Sequence, residues 1–121
     1  MDKLIFLVDD IESILITGAS ILEKDYHVLT MSSAEKMFSL LLKKKPDLII
    51  LDVEMPDMSG TDAFSKLREN PAWSDIPVLF LTGHIDDEII KTFINLGACC
   101  VIDKFDMKDT LLPSVTNCLR R

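Results

Sequence analysis

Asp52 closes the apolar run Leu48-Ile49-Ile50-Leu51, and the pair Asp9-Asp10 closes the earlier run Leu4-Ile5-Phe6-Leu7-Val8. If the two runs are neighbouring parallel strands, their carboxyl ends bring three carboxylates into one crevice. Two unit charges about 5 Å apart repel by roughly 3 kcal/mol at an effective dielectric near 20. A cluster of this kind persists where a divalent cation or a cationic side chain compensates it. One carboxylate can act as a nucleophile and form an acyl phosphate. The others can hold Mg2+ against phosphoryl oxygens. Thr82 follows the run Val78–Leu81, and Lys104 follows Val101-Ile102 at one residue's remove. Their hydroxyl and ammonium suit the remaining oxygens. The set points to metal-assisted phosphoryl chemistry.

Those residues need elements to carry them. Five short apolar segments recur: Leu4–Val8, His27–Met31, Leu48–Leu51, Val78–Leu81 and Cys100–Ile102. Helical periodicity fills the stretches after them. The first helix carries Ile11, Ile14, Leu15, Gly18, Ile21 and Leu22 on one face. A capping box, Ser32-x-x-Glu35, opens the second, with Ala34, Met37, Phe38, Leu41 and Leu42 as its buried stripe. The third turns Ala63, Phe64 and Leu67 inward and ends before Pro71. The fourth carries Ile89, Ile90, Phe93 and Ile94, and Gly97 suits its stop. Asp106 is the expected cap of the fifth, whose inward residues are Leu111, Leu112, Val115, Cys118 and Leu119. Pro113 should weaken or kink the first turns of that helix or delay its start.

Alternating strands and helices make an α/β doubly wound domain with a five-stranded parallel sheet. Strand order 2-1-3-4-5, the flavodoxin-like order, puts strands one and three side by side at the switch point, where ligands bind beyond the carboxyl ends. Asp9, Asp10, Asp52, Thr82 and Lys104 then share one rim. No internal repeat or linker breaks the 121 residues, so residues 1–121 read as a single domain.

Composition narrows the function. A net charge of −7 argues against direct nucleic-acid binding by this domain, without excluding a DNA-binding partner domain. The basic spots Lys43-Lys44-Lys45 and Arg120-Arg121 read as helix C-terminal charges facing solvent. The first apolar run is too short for a signal peptide, and none approaches membrane-spanning length, so a cytoplasmic location is expected. Cys99, Cys100 and Cys118 show no Cys-x-x-Cys spacing and read as buried reduced thiols rather than a disulfide or metal site. His27 and His84 have no ligand spacing, which speaks against zinc.

The full order is apolar strand–Asp–Asp, apolar strand–Asp–x–x–x–Pro–x–x–x–Gly, apolar strand–Thr, apolar strand–x–Lys. It closely resembles the receiver domain of two-component response regulators, chemotaxis-regulator-like, from Leu4 to Leu119. The resemblance implies that Asp52 is the phosphoacceptor and that Asp9 and Asp10 hold Mg2+, with Asp52 and the Glu54 backbone carbonyl as further ligands. It implies that Thr82 swings towards the phosphoryl group and that Lys104 pairs with it. Pro56 and Gly60 match the loop after the acceptor, where Gly60 permits the turn into the third helix. The implied donor is a sensor histidine kinase or phosphotransfer protein. The implied output is a downstream effector, an attached output domain or a homodimer, through the fourth helix, fifth strand and fifth helix. The resemblance implies a protein that is not an enzyme, apart from Mg2+-dependent self-phosphorylation from a donor and autodephosphorylation.

Three departures stand out. Phe105 follows Lys104 where relatives usually have Pro, Val101 replaces a common aromatic, and Gly83 replaces a small Ala after Thr82. His84 and Glu54 occupy positions that tune dephosphorylation in the family, and both equally suit exposed loops. Taken singly, Asp9 or Asp10 could cap the first helix, Thr82 could merely end a strand, and Lys104 could be solvated. The competing functions fit less well. An aspartyl-phosphate hydrolase wants Asp-x-Asp-x-Thr after the first strand, where this chain has Asp9-Asp10. A flavin carrier wants a Ser/Thr/Gly-rich loop, where Asp10-Ile11-Glu12-Ser13 stands. A degenerate receiver serving only as a binding module would not keep Asp52, Thr82 and Lys104.

Overall fold

The computed structural model describes residues 3–120; Met1, Asp2 and Arg121 lie outside it, so the domain span 1–121 and the reading of Arg121 as a solvent-facing charge are left at those ends. Along the chain run β1 (Leu4–Val8), α1 (Glu12–Leu22), β2 (His27–Met31), α2 (Ala34–Leu41), β3 (Leu48–Asp52) and α3 (Gly60–Glu69). They are followed by β4 (Val78–Thr82), α4 (Asp87–Leu96), β5 (Cys100–Asp103) and α5 (Met107–Leu119), with a single 3-10 turn over Lys104–Asp106. The strands form one parallel sheet in the order β2-β1-β3-β4-β5. This is the doubly wound, flavodoxin-like arrangement.

Alternation within the central strands explains the two-sided core. Phe6, Val8, Ile49, Leu51, Val78 and Phe80 face α2, α3 and α4. Ile5, Leu7, Leu48, Ile50, Leu79 and Leu81 face α1 and α5. Successive side chains of a strand point to opposite faces, so a strand covered on both sides must be apolar throughout. β3 and β4 are buried along their whole length, whereas the edge strand β2 buries only Met31. Among the described residues no helix is long and apolar enough to cross a membrane.

Several local expectations change. Ser33, not Ser32, caps α2, accepting from the Lys36 amide at 3.2 Å; Ser32 instead accepts from the Lys36 ammonium at 3.0 Å. Leu42, expected inside, is 78% exposed because the helix ends at Leu41 and the chain turns away. Ile94 is likewise 44% exposed, and Phe93 alone of α4 is buried. Pro113 does not delay α5, which begins at Met107 and carries the proline inside. Burial of Leu111 and Val115 on either side holds the helix in place despite the missing amide. Asp106 holds the cap position but its side chain makes no capping bond. Gly97 does end α4, with φ at 111°.

The cysteines depart furthest from their reading as separate thiols. Cys99 and Cys118 are paired as a disulfide, with Cα atoms 5.9 Å apart, and only Cys100 is free. Sequence spacing held no sign of this, because the two meet only when the last turn of α5 packs against the entry to β5.

Candidate functional site

The carboxyl edge of the sheet carries the site. Asp52 and Thr82 are the last residues of β3 and β4, and Lys104 follows the last residue of β5. Pairing of Val8 with Leu51, and of Asp52 with Leu81, sets the strand ends level. One carboxylate oxygen from each of Asp9, Asp10 and Asp52 lies within 4.8 Å of the others. Asp9 and Asp52 are buried, while Asp10 is exposed at the mouth.

Lys104 compensates the buried pair. Its ammonium lies 2.9 Å from Asp52 Oδ1 and 3.0 Å from Asp9 Oδ2, and the lysine is itself 9% exposed. Asp52 Oδ1 also accepts from the Glu54 amide at 3.3 Å. Asp9 Oδ1 accepts from the Ile11 amide at 2.9 Å. That bond satisfies backbone at the start of α1, where Ile11 holds the cap position without a capping side chain. Asp10 does not cap the helix. Asp52 Oδ2 is buried with no hydrogen-bond partner, and Asp9 Oδ2 has the ammonium at ion-pair distance but no well-aligned hydrogen bond.

Such burial has an electrostatic consequence. The Asp52 carboxyl is pushed up from 3.8 to about 6. Burial is the main cause; the Lys104 hydrogen bond opposes it, and the neighbouring charge of Asp9 adds to it. Burial also works against the Lys104 charge, but the bonds and charges of Asp52 and Asp9 outweigh it and hold the ammonium above its ordinary range.

Buried anionic oxygens without hydrogen bonds are what a hard divalent cation takes as ligands. Asp9, Asp10 and Asp52 therefore fit Mg2+ by donor type and by closeness. The amide of Glu54 is committed to Asp52, and its side chain is exposed.

Thr82 is buried at the same edge, but its hydroxyl is engaged. It donates to the His84 carbonyl at 3.0 Å and accepts from the His84 amide at 3.2 Å. His84 pairs with Asp86, 3.3 Å away, and Asp86 caps α4 through the Ile89 amide at 2.9 Å. Phe105 is 81% exposed, and a Cβ added to Gly83 would sit 3.6 Å from its ring. Val101 is buried among the core residues.

One supporting residue, Asp57, had no signature in the spacing. Asp57 accepts from the Glu35 amide at 3.0 Å and the Ala34 amide at 3.4 Å, tying the loop after β3 to the start of α2. Gly60, expected to serve a turn, does not have the positive φ of Gly97. It serves close approach: an added Cβ would run into the Asp52 carbonyl oxygen and lie 2.8 Å from Val53 Cα. The Gly60 amide bonds the Val53 carbonyl at 2.7 Å, so α3 starts directly against the strand end that carries Asp52.

The chain resembles known proteins in sequence and in fold. A family model described as the response regulator receiver domain matches residues 5–116. The alkaline phosphatase synthesis transcriptional regulatory protein PhoP of Bacillus subtilis is 38% identical over 100 residues, 81% of this chain and 40% of that protein. A probable cyclic di-GMP phosphodiesterase of Vibrio cholerae is 32% identical over 94 residues, 78% of this chain and 21% of that protein. The chain thus spans less than half the length of these relatives. The solved structure of the Vibrio cholerae chemotaxis protein CheY4 superposes with a TM-score of 0.88 at 26% identity, covering 98% of this chain and 99% of that one.

Proposed function

The chain belongs to the response regulator receiver domain family, and from that premise we propose that it is a switch charged by transfer of a phosphoryl group onto Asp52. The observation that carries the reading is the state of the Asp52 carboxylate. One oxygen is held by Lys104 and the Glu54 amide, and the other is buried without a partner. An oxygen lacking hydrogen bonds keeps its electron pairs available for attack. With its pKa at about 6, Asp52 is mostly ionised at neutral pH.

In the transfer, Asp52 Oδ2 attacks phosphorus, the new O–P bond forms, and the bond from phosphorus to the donor breaks. The donor leaves with the electron pair and takes up a proton; a phosphohistidine leaves as imidazole. The product is an acyl phosphate with more negative oxygens than the carboxylate it replaces. Lys104 then serves those oxygens rather than Asp52 Oδ1. Thr82 reaches them only by giving up its bonds to His84. Asp9, Asp10 and Asp52 would hold Mg2+, with the Glu54 carbonyl as a further ligand; the ion would supply charge neutralisation at the phosphoryl oxygens.

The donor is a sensor histidine kinase or a phosphotransfer protein acting in the cytoplasm. The receiving partner is an effector or an attached output domain, engaged through α4, β5 and α5, a face that also serves a homodimer. Relatives named as transcriptional regulators and as a phosphodiesterase are consistent with outputs that vary around a shared switch.

Incubation with a small acyl- or amido-phosphate and Mg2+ should add one phosphoryl group, read by intact mass. Asp52→Asn should abolish the addition; equal labelling of both proteins would refute the assignment. Mg2+ at millimolar concentration should raise the melting temperature by preferential binding to the folded state, and Asp10→Asn should weaken that response.

A further inference from the structure

The rim chemistry does not use the cysteines. Cys99 lies at the entry to β5, where its amide bonds the Val78 carbonyl at 2.9 Å. Cys118 lies in the last turn of α5, 3% exposed in the core on that face, while Cys99 is only half-buried. We propose that Cys99 and Cys118 form a reversible oxidation site whose oxidant is a peroxide.

Two observations carry this beyond a structural staple. Small domains that depend on a disulfide lack an adequate core. Here both faces of the sheet are covered by continuous clusters of buried residues, a full core for a domain of this size. The pair can therefore be made or opened in a folded domain. The second observation is the unequal exposure of the sulfurs, which divides the roles. Cys99 is the thiol a small oxidant reaches. Cys118 is shielded from solvent but placed with its Cα 5.9 Å from that of Cys99, within the range a disulfide spans.

The step balances. The Cys99 thiolate attacks one peroxide oxygen, the O–O bond breaks, and hydroxide leaves to give a sulfenic acid. The Cys118 sulfur then attacks Cys99 Sγ; the S–S bond forms, the S–O bond breaks and water departs. Two thiols lose two electrons and hydrogen peroxide becomes two waters. A dithiol reductant reverses the bond by exchange. Closure ties the end of α5 to the start of β5, enclosing a segment with a separation of 19 residues that includes Lys104.

The test starts from the full chain reduced with dithiothreitol and freed of reductant. Hydrogen peroxide is added, remaining thiols are alkylated, and cross-linked peptides are identified by mass. The expected product joins Cys99 to Cys118 and leaves Cys100 alkylated. It should melt about 10 °C above the reduced protein, as expected for closing a loop of this length, and return on adding dithiothreitol. Cys118→Ala should leave a sulfenic acid on Cys99 that a dimedone-type probe captures, whereas Cys99→Ala should leave Cys118 unlabelled. Circular dichroism confirms that each variant is folded, and wild-type peptide mapping decides alone if one is not. A different pairing, no pairing, a bond that dithiothreitol leaves intact, or capture on Cys118 would overturn the proposal.

Discussion

Helices α3 and α4 are each ten residues long, each opens on a side-chain cap, and both pack on the same face of the sheet. They are held very differently. α3 buries Gly60, Ala63, Phe64 and Leu67, and its Arg68 guanidinium donates to the Ile76 carbonyl at 2.9 Å while lying over the Phe64 ring. α4 buries Phe93 alone and leaves Leu96 half exposed. The first follows Asp52, the second follows Thr82. A charge change at the rim acts on both strand ends, but only the α4 side has little packing to lose. The clamped helix keeps Asp52 in place, and the loosely held one has the freedom to move.

Truncation gives the largest expected contrast. Leu67→Ala removes a fully buried side chain of α3 and should cost about 2–5 kcal/mol. Ile94→Ala, from the half-exposed position on α4, should cost less than about 1 kcal/mol in denaturant melts. Equal losses would break the comparison.

Titration of the metal-free protein comes next. Asp52 binds its proton more tightly in the folded state, with a pKa of about 6, than in the unfolded chain, where it is near 3.8. Protonation therefore favours folding. This contribution is largest below pH 4, declines as pH rises from about 4 to 6, and is gone above that window. Its full size is at most about 3 kcal/mol. Asp52→Asn should remove that decline while leaving the titration of other groups in place. Identical stability profiles for the two proteins between pH 4 and 6 would contradict a carboxylate whose proton affinity is raised by burial.

Amide exchange sharpens the contrast further. Without any phosphoryl mimic, the core positions of α4 should exchange about tenfold faster than those of α3, equivalent to about 1.4 kcal/mol of local stability. Beryllofluoride with Mg2+ should then alter protection over residues 82–96 and around Lys104, leaving α3 little changed. Changes confined to α1 and α2 would place the output face elsewhere.

The smallest effect belongs to Gly83, which sits beside the Phe105 ring. Gly83→Ala meets only ordinary contact there, so stability should shift by less than about 0.5 kcal/mol. Reduced backbone freedom should nevertheless slow the loop motion after Thr82, seen as a smaller beryllofluoride-induced change in exchange.

Much of this molecule is legible before folding because its information is local. An apolar run covered on both faces reads as a parallel strand, and β1 keeps the bounds expected of it. Acids at the ends of β1 and β3, a threonine ending β4 and a lysine after β5 become a cluster as soon as the strand order is 2-1-3-4-5. Alternation and handedness restrict the sheet to a few doubly wound orders, and the flavodoxin-like one among them gathers the candidate site residues on one rim.

Contacts between elements far apart in the chain were decided only by packing. The lysine bridge from β5 to Asp9 and Asp52 depends on three strand registers at once. Asp57 reaches amides 22 and 23 residues away, and Cys99 meets Cys118 only because α5 lies along β5. Ser33 takes the cap from Ser32 because the helix start is set by how α2 seats on the sheet rather than by its own capping pattern. Gly60 is required by a backbone that approaches from another element, not by its own φ. Periodicity records which face a residue prefers; distances, caps and pairings arise from the mutual seating of helices and strands, which no single segment encodes.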